Sequence, residues 1–337
     1  MKAKIGGVSY VLPQIKLTNA DLVRDYADWT VDKIAEKTGI DQRYIAAEGE
    51  CASDLGIQAA EELFATGIAS AADIDYLLFC TQSPDYFLPT SACIIQNRLG
   101  LRTAVGALDF NLGCSGYVYG LGLAKGLIET AQAATVLLIT AETYSKFIHP
   151  GDRSVRTLFG DAATATLITT VPDDTEMIGP FIYGTDGAGA RNLMVPAGGA
   201  RQRSSAQTTV VSEDDQGNLR ALDNLYMNGS EIFGFTLSSV PKAVKALLDK
   251  AGESIDTVDL FVFHQANRFM LEHLRKKCQI PQEKFVLAYQ RFGNTVSCTI
   301  PIALKEAERS GQLRRGMRVM LVGFGVGYSW GGCFVEW

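Results

Sequence analysis

Several features that mark specialised classes of protein are missing from the chain. No apolar run approaches the roughly 18 residues of a membrane helix, so we expect no membrane partner. The first residues, MKAKIGGVSYVLP, hold too short an apolar stretch for a signal peptide. There are only three histidines, and none of the seven cysteines forms a CxxC pair, so we expect no bound metal. An odd set of such cysteines predicts a reduced, cytoplasmic protein.

Charge is also scarce. Charged residues make up 20% of the chain, against about 25% in a typical soluble protein, which indicates that a partner subunit covers part of the surface. The net charge of −6 excludes bulk attraction to nucleic acid. What is present is a hydrophobic share of 47% in 337 residues, enough for about two domains. The 33 glycines and 16 phenylalanines are spread without low complexity, which excludes disorder, collagen and coiled coil.

The chain repeats one pattern of helices and strands. Residues 59–84 match 243–267, because each segment is an amphipathic helix, a glycine, a short polar link and a buried strand. Residues 109–145 match 289–329, because each has a glycine, a tight turn, a helix rich in small residues and an apolar strand. The offset of 180 to 184 residues exceeds the period of any solenoid, so it predicts two duplicated halves.

The apolar strands indicate the fold class. Residues 135–141 (TVLLITA) and 318–324 (RVMLVGF) lack polar alternation and are typical of strands that helices cover on both faces, so we expect an α/β fold. The predicted helices at about 115–129 and 295–308 carry Gly, Ala, Ser and Cys, which let a helix lie close to its neighbours. We therefore expect both helices to run through the middle of the molecule.

The repeat also predicts the domain organisation. We expect one half to span residues 1–171 and the other to span residues 172–337. The stretch at about 184–227 breaks the repeat, and its Gly, Gln, Ser and Asp residues predict a loop-rich insertion.

Cys114 differs in context from the other cysteines. It lies in NLGCSGY, at a turn into the small-residue helix, where free N–H groups and the helix dipole stabilise a thiolate. We therefore expect a lowered pKa for this thiol. Buried and unreactive positions are expected for Cys80, Cys93, Cys278, Cys298 and Cys333.

Two side chains of the second half are candidates to join Cys114. His264 ends a strand in FVFHQAN, and Asn294, in GNT, occupies the position that the repeat pairs with Cys114. Loops at the carboxyl ends of strands are where α/β proteins bind their ligands. We therefore expect the thiol, the imidazole and the amide to converge in one buried cleft.

The strings NLGCSGY, HQAN, GNT, KTGIDQRYIA, FGDAATA and GFGVGYSWGG closely resemble thiolase-fold condensing enzymes, and among them β-ketoacyl-acyl carrier protein synthase III, over essentially the whole chain. The resemblance implies a thiolase-like five-layer αβαβα fold of two duplicated halves, normally as a homodimer. It implies that Cys114 is acylated by acyl-coenzyme A (acyl-CoA) and that His264 and Asn294 handle the thioester of malonyl-acyl carrier protein. Decarboxylative condensation would then start fatty-acid synthesis, with acyl-CoA as substrate and no cofactor.

The same resemblance implies roles near the nucleophile. The backbone amide of Cys114 and one from the turn at Gly325 and Val326 would hold the oxyanion. Phe324 would favour decarboxylation by offering the carboxylate an apolar wall.

Surface residues also receive roles by resemblance. Arg153, Trp29 and Lys37 would bind coenzyme A, with Trp29 one turn earlier than the usual tryptophan. The basic residue that usually follows NE-x-F is replaced by Gly234. The arginine that usually follows HQAN-x stands one position earlier in this chain, as Arg268. The side chains expected to dock the acidic carrier protein are Arg268, Arg275, Lys276 and Lys277.

Residues 83–89 align with the family segment that crosses the dimer interface and closes the acyl tunnel of the neighbouring subunit. Phe87 and Leu88 are the candidates for the acyl pocket, and Leu88 stands where the best-known members carry Phe. A leucine is shorter than a phenyl ring, so the tunnel would admit primers longer than acetyl. Alternatively, Phe87 turns into the gap and keeps the pocket small.

Other functions stay open at this point. Some relatives transfer an acyl group without decarboxylation, or serve specialised pathways with a non-acetyl primer. A papain-type hydrolase has the same Cys-His-Asn order but carries a different sequence around its cysteine. A non-catalytic partner subunit would not need the three residues. Retention of both His264 and Asn294 favours condensation, because simple transfer needs a base more than a second enolate donor.

Overall fold

The computed structural model describes residues 1–26, 28–172 and 175–337. The strands are β1 (Lys2–Val11), β2 (Ile15–Thr18), β3 (Gln42–Ile45), β4 (Tyr76–Cys80), β5 (Gly106–Phe110), β6 (Thr135–Glu142), β7 (Ala162–Val171), β8 (Ile178–Thr185), β9 (Leu193–Met194), β10 (Ser212–Glu213), β11 (Leu219–Arg220), β12 (Tyr226–Met227), β13 (Leu260–Phe263), β14 (Arg318–Gly325) and β15 (Ser329–Glu336). The helices are α1 (Asn19–Leu22), α2 (Val31–Thr38), α3 (Ala52–Ala65), α4 (Ser91–Arg98), α5 (Gly116–Glu129), α6 (Arg153–Arg156), α7 (Gly229–Ala251), α8 (Arg268–Lys277) and α9 (Thr299–Arg309).

The first large sheet has the strand order β1-β7-β6-β4-β5. Strand β4 pairs in parallel with both β5 and β6, whereas β6 with β7 and β7 with β1 are antiparallel. Side chains of β4 and β6 are buried on both faces of the sheet, as their continuous apolar sequences require. The strand predicted at residues 135–141 is confirmed.

The second large sheet repeats this arrangement in the order β13-β14-β15-β8. Strand β13 pairs in parallel with β14, and the other two pairs are antiparallel. On the open side of β13, Phe285 forms an isolated parallel bridge with Phe261, at the position that β5 holds in the first sheet. The shared order confirms the duplication, whereas the boundary at residues 171 and 172 stays a prediction.

The helices separate and cover the two sheets. Helices α3 and α4 pack on the outer face of the first sheet, and α7 and α8 cover the second. Helices α5 and α9 lie between the sheets, where their apolar side chains share one core with strands of both halves. A Cβ atom at Gly120 would lie 2.7 Å from the Leu138 side chain, so this glycine lets α5 approach β6 closely. The predicted five-layer αβαβα fold with central small-residue helices is confirmed.

Two predicted segments differ in detail from the structure. The helix expected at about 295–308 begins with a separate 3-10 turn at Val296–Cys298, and α9 proper starts at Thr299. The stretch at 184–227 contains the end of β8, a 3-10 turn at Gly187–Asn192 and the short strand pairs β9 with β12 and β10 with β11. Its extent as an insertion stays a prediction.

One expectation about the cysteines is wrong. Cys93 is exposed, because α4 turns Ser91, Ala92 and Ile95 toward the core and Cys93 away from it. Cys278 is only partly buried, whereas Cys80, Cys298 and Cys333 are buried as expected. Within the described ranges, no helix is both long and apolar enough to span a bilayer.

Candidate active site

Cys114, His264 and Asn294 line one cavity of about 180 Å³. The cavity lies where the two halves meet, and Phe324 and Gly325 at the end of β14 also line it. The three side chains are at most 6% exposed. The structure therefore brings the three predicted side chains together in one mainly apolar cavity.

The nucleophile lies at an elbow that requires glycine. Cys114 directly precedes Ser115, the N-cap residue of α5. A Cβ atom at Gly325 would lie 2.8 Å from the Cys114 sulfur, and one at Gly116 would lie 2.4 Å from the Cys80 sulfur. The backbone N–H groups of Cys114 and Val326 both face the Cys114 sulfur and favour its thiolate form. These are the two groups that the resemblance implies as oxyanion donors.

The expected lowering of the Cys114 pKa is wrong, because the thiol is buried. Burial raises the pKa of the thiol to about 12, and the carboxylate of Glu142 raises it further, whereas the two backbone N–H groups lower it. The cost of removing a thiolate from water therefore outweighs the helix terminus. The resting nucleophile is a protonated thiol at neutral pH.

The His264 ring is held by a hydroxyl that the sequence analysis missed. Its Nδ1 lies 2.7 Å from the Thr299 hydroxyl, which itself donates to the carbonyl of Val296 at 3.0 Å. This contact engages Nδ1, so we expect Nε2 to be the ring nitrogen that meets a substrate. When the Thr299 hydroxyl donates to the Val296 carbonyl, the ring proton lies on Nδ1 and Nε2 is a hydrogen-bond acceptor. When the hydroxyl donates to Nδ1 instead, the ring proton lies on Nε2, which is then a donor.

Burial lowers the pKa of His264 to about 3, so the imidazole is neutral. The ring of Phe324 lies edge-to-face against it, with 5.4 Å between the ring centroids. Phe324 is thus placed against His264 in the cavity that contains the Cys114 thiol. The pair gives the cavity one polar edge, at Nε2, beside an apolar wall.

The amide of Asn294 has a fixed orientation. Its backbone N–H donates to the carbonyl of Leu158 at 2.8 Å, and its carbonyl accepts from the N–H of Gly160 at 3.0 Å. The side-chain Oδ1 accepts from the backbone N–H of Val296 at 3.0 Å. Because Oδ1 is engaged in this way, the NH₂ group of Asn294 is the part of the side chain left to donate to a substrate.

A buried carboxyl group beside the nucleophile was also missed. Glu142 ends β6 and accepts hydrogen bonds from the backbone N–H of Gln82 at 3.0 Å and from the hydroxyl of Ser297 at 2.7 Å. Burial raises its pKa to about 8. The available signal was the single acidic residue at the end of the apolar strand TVLLITAE. Thr299 had no comparable signal, because its approach to His264 depends on the turn before α9.

A second, larger cavity of about 820 Å³ is bordered by Val326 and Tyr144. Leu193 lines both cavities, which places the larger one beside the site of Cys114. Phe87 lines the larger cavity, whereas Leu88 does not, and these two side chains are 82% and 83% exposed. The other apolar lining residues include Phe147, Met194, Val195 and Leu225.

The residues expected to bind coenzyme A form one cluster on the surface. The Arg153 guanidinium and the Lys37 ammonium lie 5.9 Å and 4.9 Å from the Trp29 ring centroid. Arg153 also pairs with Asp28 at 3.0 Å. The structure therefore brings the three predicted residues together, outside the lining of the two cavities.

The four cations expected to dock the carrier protein differ in their surroundings. Arg268 donates to the carbonyl of Glu36 at 2.6 Å, and Arg275 donates to that of Ile280 at 3.0 Å. Lys276 and Lys277 are exposed, and their ammonium groups bind no residue in the described part of the chain. Of these four cations, only the two lysines therefore lack a hydrogen-bond partner within the described part of the chain.

A Cys-His-Asn cavity between two duplicated α/β halves defines the class of thiolase-fold condensing enzymes. Residues 108–187 match the family model described as 3-oxoacyl-[acyl-carrier-protein (ACP)] synthase III, and residues 248–337 match the model of its C-terminal region. The chain therefore belongs to the 3-oxoacyl-[acyl-carrier-protein] synthase III family, as the sequence motifs predicted.

Similar proteins cover the full length of the chain. The beta-ketoacyl-[acyl-carrier-protein] synthase III of Caldanaerobacter subterraneus subsp. tengcongensis is 34% identical over 99% of this chain and 98% of its own. A crystal structure of a 3-oxoacyl-(acyl-carrier-protein) synthase III is 54% identical, with a TM-score of 0.99 and complete coverage of both chains. The 3-oxoacyl-(acyl-carrier protein) synthase from Burkholderia xenovorans LB400 is 39% identical, with a TM-score of 0.90 over 99% of this chain and 94% of its own.

Proposed function

We propose that this chain condenses an acyl-CoA primer with malonyl-acyl carrier protein, with loss of CO₂, and so starts fatty-acid synthesis. The observation that carries the proposal is the single cavity in which the Cys114 thiol, the neutral His264 ring and the Asn294 amide meet. A hydrolase needs a nucleophile and a base, whereas a thioester enolate needs hydrogen-bond donors at its oxygen. The names of the similar proteins support the same reaction.

Acylation is the first half of the reaction. The Cys114 sulfur attacks the thioester carbonyl of acyl-CoA, and the N–H groups of Cys114 and Val326 hold the oxyanion. The bond between the acyl carbon and the sulfur of coenzyme A then breaks. The thiol proton of Cys114 ends on the coenzyme A sulfur, so the step is balanced without a cofactor.

Condensation is the second half. The carboxylate of the malonyl group lies toward Phe324, its bond to the methylene carbon breaks, and the electron pair forms an enolate as CO₂ leaves. The enolate oxygen accepts from the Asn294 NH₂ group and from Nε2–H of His264, the tautomer in which Thr299 donates to Nδ1. The enolate carbon attacks the acyl-Cys114 carbonyl, and the released thiolate takes up one proton.

The larger cavity beside Val326 is the proposed acyl pocket. Its volume of about 820 Å³ and mainly apolar lining support primers longer than acetyl. Phe87 would border the pocket of its own subunit, and Leu88 would reach that of a second subunit. Acylation of Cys114 with acyl-CoA esters of increasing length tests this proposal: a broad profile that narrows in Leu88→Phe supports it, and strict preference for acetyl refutes it.

The proposed enzyme is a cytoplasmic homodimer that binds the nucleotide of coenzyme A at Trp29, Lys37 and Arg153. The rings and cations of this cluster are suited to an adenine ring and its phosphates. Strand β5 is an edge of its sheet, and the exposed apolar side chains of Phe87 and Leu88 support a subunit contact on that side.

Intact-protein mass spectrometry tests the reaction sequence. Wild-type protein should gain one acyl group from acyl-CoA and lose it when malonyl-acyl carrier protein is added. Cys114→Ala should gain none, whereas the matched control Cys93→Ser, at an exposed cysteine, should behave as wild type. Label on the Cys114→Ala protein, or release of the acyl group as a free acid, would refute the proposal.

A further inference from the structure

Polar side chains interrupt the apolar lining of the larger cavity. The Tyr144 hydroxyl donates to Oε1 of Gln82, and Nε2 of Gln82 donates to Oδ1 of Asn111 at 2.9 Å. These three residues, called the polar row below, all line the cavity of about 820 Å³. Because Oδ1 of Asn111 is engaged in this way, its NH₂ group is left to donate, and so is the second hydrogen of the Gln82 NH₂ group. The polar row therefore offers hydrogen-bond donors to a molecule in the cavity.

The polar row begins beside the nucleophile. A Cβ atom at Gly113, the residue before Cys114, would lie 2.6 Å from Oε1 of Gln82 and 2.6 Å from Cγ1 of Val326. The N–H group of Val326 faces the Cys114 sulfur. An acyl group on this sulfur that enters the larger cavity would therefore pass the Gln82 amide within its first few carbon atoms.

Two carboxyl groups on the same lining offer acceptors. Asp85 and Asp223 both line the cavity, and each accepts from one hydroxyl, that of Ser53 at 2.6 Å and that of Ser204. The Oδ1 atom of each is buried and has no hydrogen-bond partner in the ranges that the structure describes. A buried acceptor without a partner costs free energy, so a donor on a bound molecule would be favoured at these two oxygens.

Donors and acceptors on one lining select a hydroxyl group. A hydroxyl donates one hydrogen bond and accepts others, so it can pair both with an NH₂ group and with a carboxylate. A carboxylate on the primer would face the like charges of Asp85 and Asp223, and an ammonium group could accept nothing from the polar row. A plain alkyl chain would leave the polar groups of the cavity unpaired.

We propose that the primer is an acyl-CoA of the 3-hydroxyacyl class, and that Gln82, Asn111 and Asp223 recognise its hydroxyl group. The inference rests on the proposed function, because it assigns the acyl group that Cys114 receives. Carbon 3 fits the short path from the Cys114 sulfur past Val326 to the Gln82 amide. The apolar part of the lining would take the rest of the acyl chain.

Paired acyl-CoA esters that differ only in the hydroxyl group test the inference. Intact-protein mass spectrometry follows acylation of wild-type protein by butanoyl-CoA and by each enantiomer of 3-hydroxybutanoyl-CoA. The quantity measured is the hydroxyl ratio, which is the second-order rate constant for the faster enantiomer divided by that for butanoyl-CoA. It should be about ten or more, because a site built to pair with a hydroxyl rejects the analogue that lacks it.

Two variants remove polar groups from the cavity. Gln82→Leu replaces the amide by an alkyl group of similar size, and it should lower the hydroxyl ratio toward one. Asp223→Ala removes an acceptor without touching the polar row, and it should lower the ratio as well. Gln132→Leu, at an exposed amide outside the lining of both cavities, is the matched control and should keep the wild-type ratio.

The outcomes separate this inference from the proposed function. A wild-type hydroxyl ratio of one or below would overturn the assignment of the primer, and so would a high ratio that both variants keep. Wild-type protein that takes up the hydroxyacyl group preferentially but does not condense it with malonyl-acyl carrier protein would refute the proposed function and leave the hydroxyl recognition standing. Condensation that starts equally well from butanoyl-CoA would do the reverse.

Discussion

The carboxyl group of Glu142 accepts a hydrogen bond from the hydroxyl of Ser297 at 2.7 Å, and both side chains are fully buried. Glu142 belongs to the sheet of the first half, and Ser297 to the turn that follows Asn294 in the second. The same carboxyl group accepts from the backbone N–H of Gln82, a residue that lines the larger cavity. One buried group thus links the turn that carries Asn294 to the wall of the proposed acyl pocket.

This carboxyl group should make stability depend on pH. Burial raises the pKa of Glu142 from 4.5 to about 8, so between these values the unfolded chain ionises while the folded chain keeps its proton. The contribution of Glu142 to the free energy of unfolding should therefore fall as pH rises from 4.5 to 8, by about 1.4 kcal/mol for each pH unit, and level off above pH 8.

Glu142→Gln should remove this contribution. Chemical denaturation of wild type and variant at four pH values from 5 to 8 measures the difference in its pH slope. His264, with a pKa lowered to about 3, contributes the opposite slope up to its ordinary value of 6.5, but it does so in both proteins and cancels. Equal slopes for the two proteins would contradict an ionisable, buried Glu142.

The protonated state of Cys114 gives a second prediction. Because its pKa lies at about 12, the rate of alkylation by iodoacetamide should rise about tenfold for each pH unit between pH 6 and 9, without a plateau. Peptide mass spectrometry separates Cys114 from the exposed Cys93. A plateau below pH 8 would show that the helix terminus outweighs burial after all.

The separate roles of Cys114 in acylation and of His264 and Asn294 in condensation give a third prediction. Asn294→Asp keeps the acceptor for the Val296 N–H but loses the NH₂ donor, so it should form the acyl-enzyme and lose condensation by about 10²–10³. His264→Ala should do the same. Stopped-flow acylation and steady-state condensation measure the two halves separately.

The Thr299 hydroxyl offers a matched pair for the same assays. Thr299→Ser keeps the hydrogen bond to Nδ1 of His264 and should condense at close to the wild-type rate, whereas Thr299→Val removes it and should slow condensation.

If acylation by His264→Ala fell as far as condensation, His264 would instead be the base that activates Cys114.

The sequence predicted the fold better than it predicted the pKa values and the exposure of individual cysteines. Continuous apolar strands such as Tyr76–Cys80 depend on local sequence, and the duplicated pattern placed Asn294 near Cys114. The raised pKa of Cys114 depends on burial by the second half, and the exposure of Cys93 depends on which face of α4 meets the core. Neither the pKa of Cys114 nor the exposure of Cys93 is encoded in the residues next to these cysteines in the sequence.

The central claim is that loss of CO₂ from the extender drives formation of a carbon–carbon bond at acyl-Cys114. It is tested by a malonyl-acyl carrier protein labelled at its free carboxyl carbon, mixed with purified acyl-enzyme. The account predicts one labelled CO₂ for each β-ketoacyl carrier formed by the acyl-enzyme, and no β-ketoacyl carrier from the Cys114→Ala protein. An acyl group transferred with no CO₂, or CO₂ released without a new carbon–carbon bond, would contradict it.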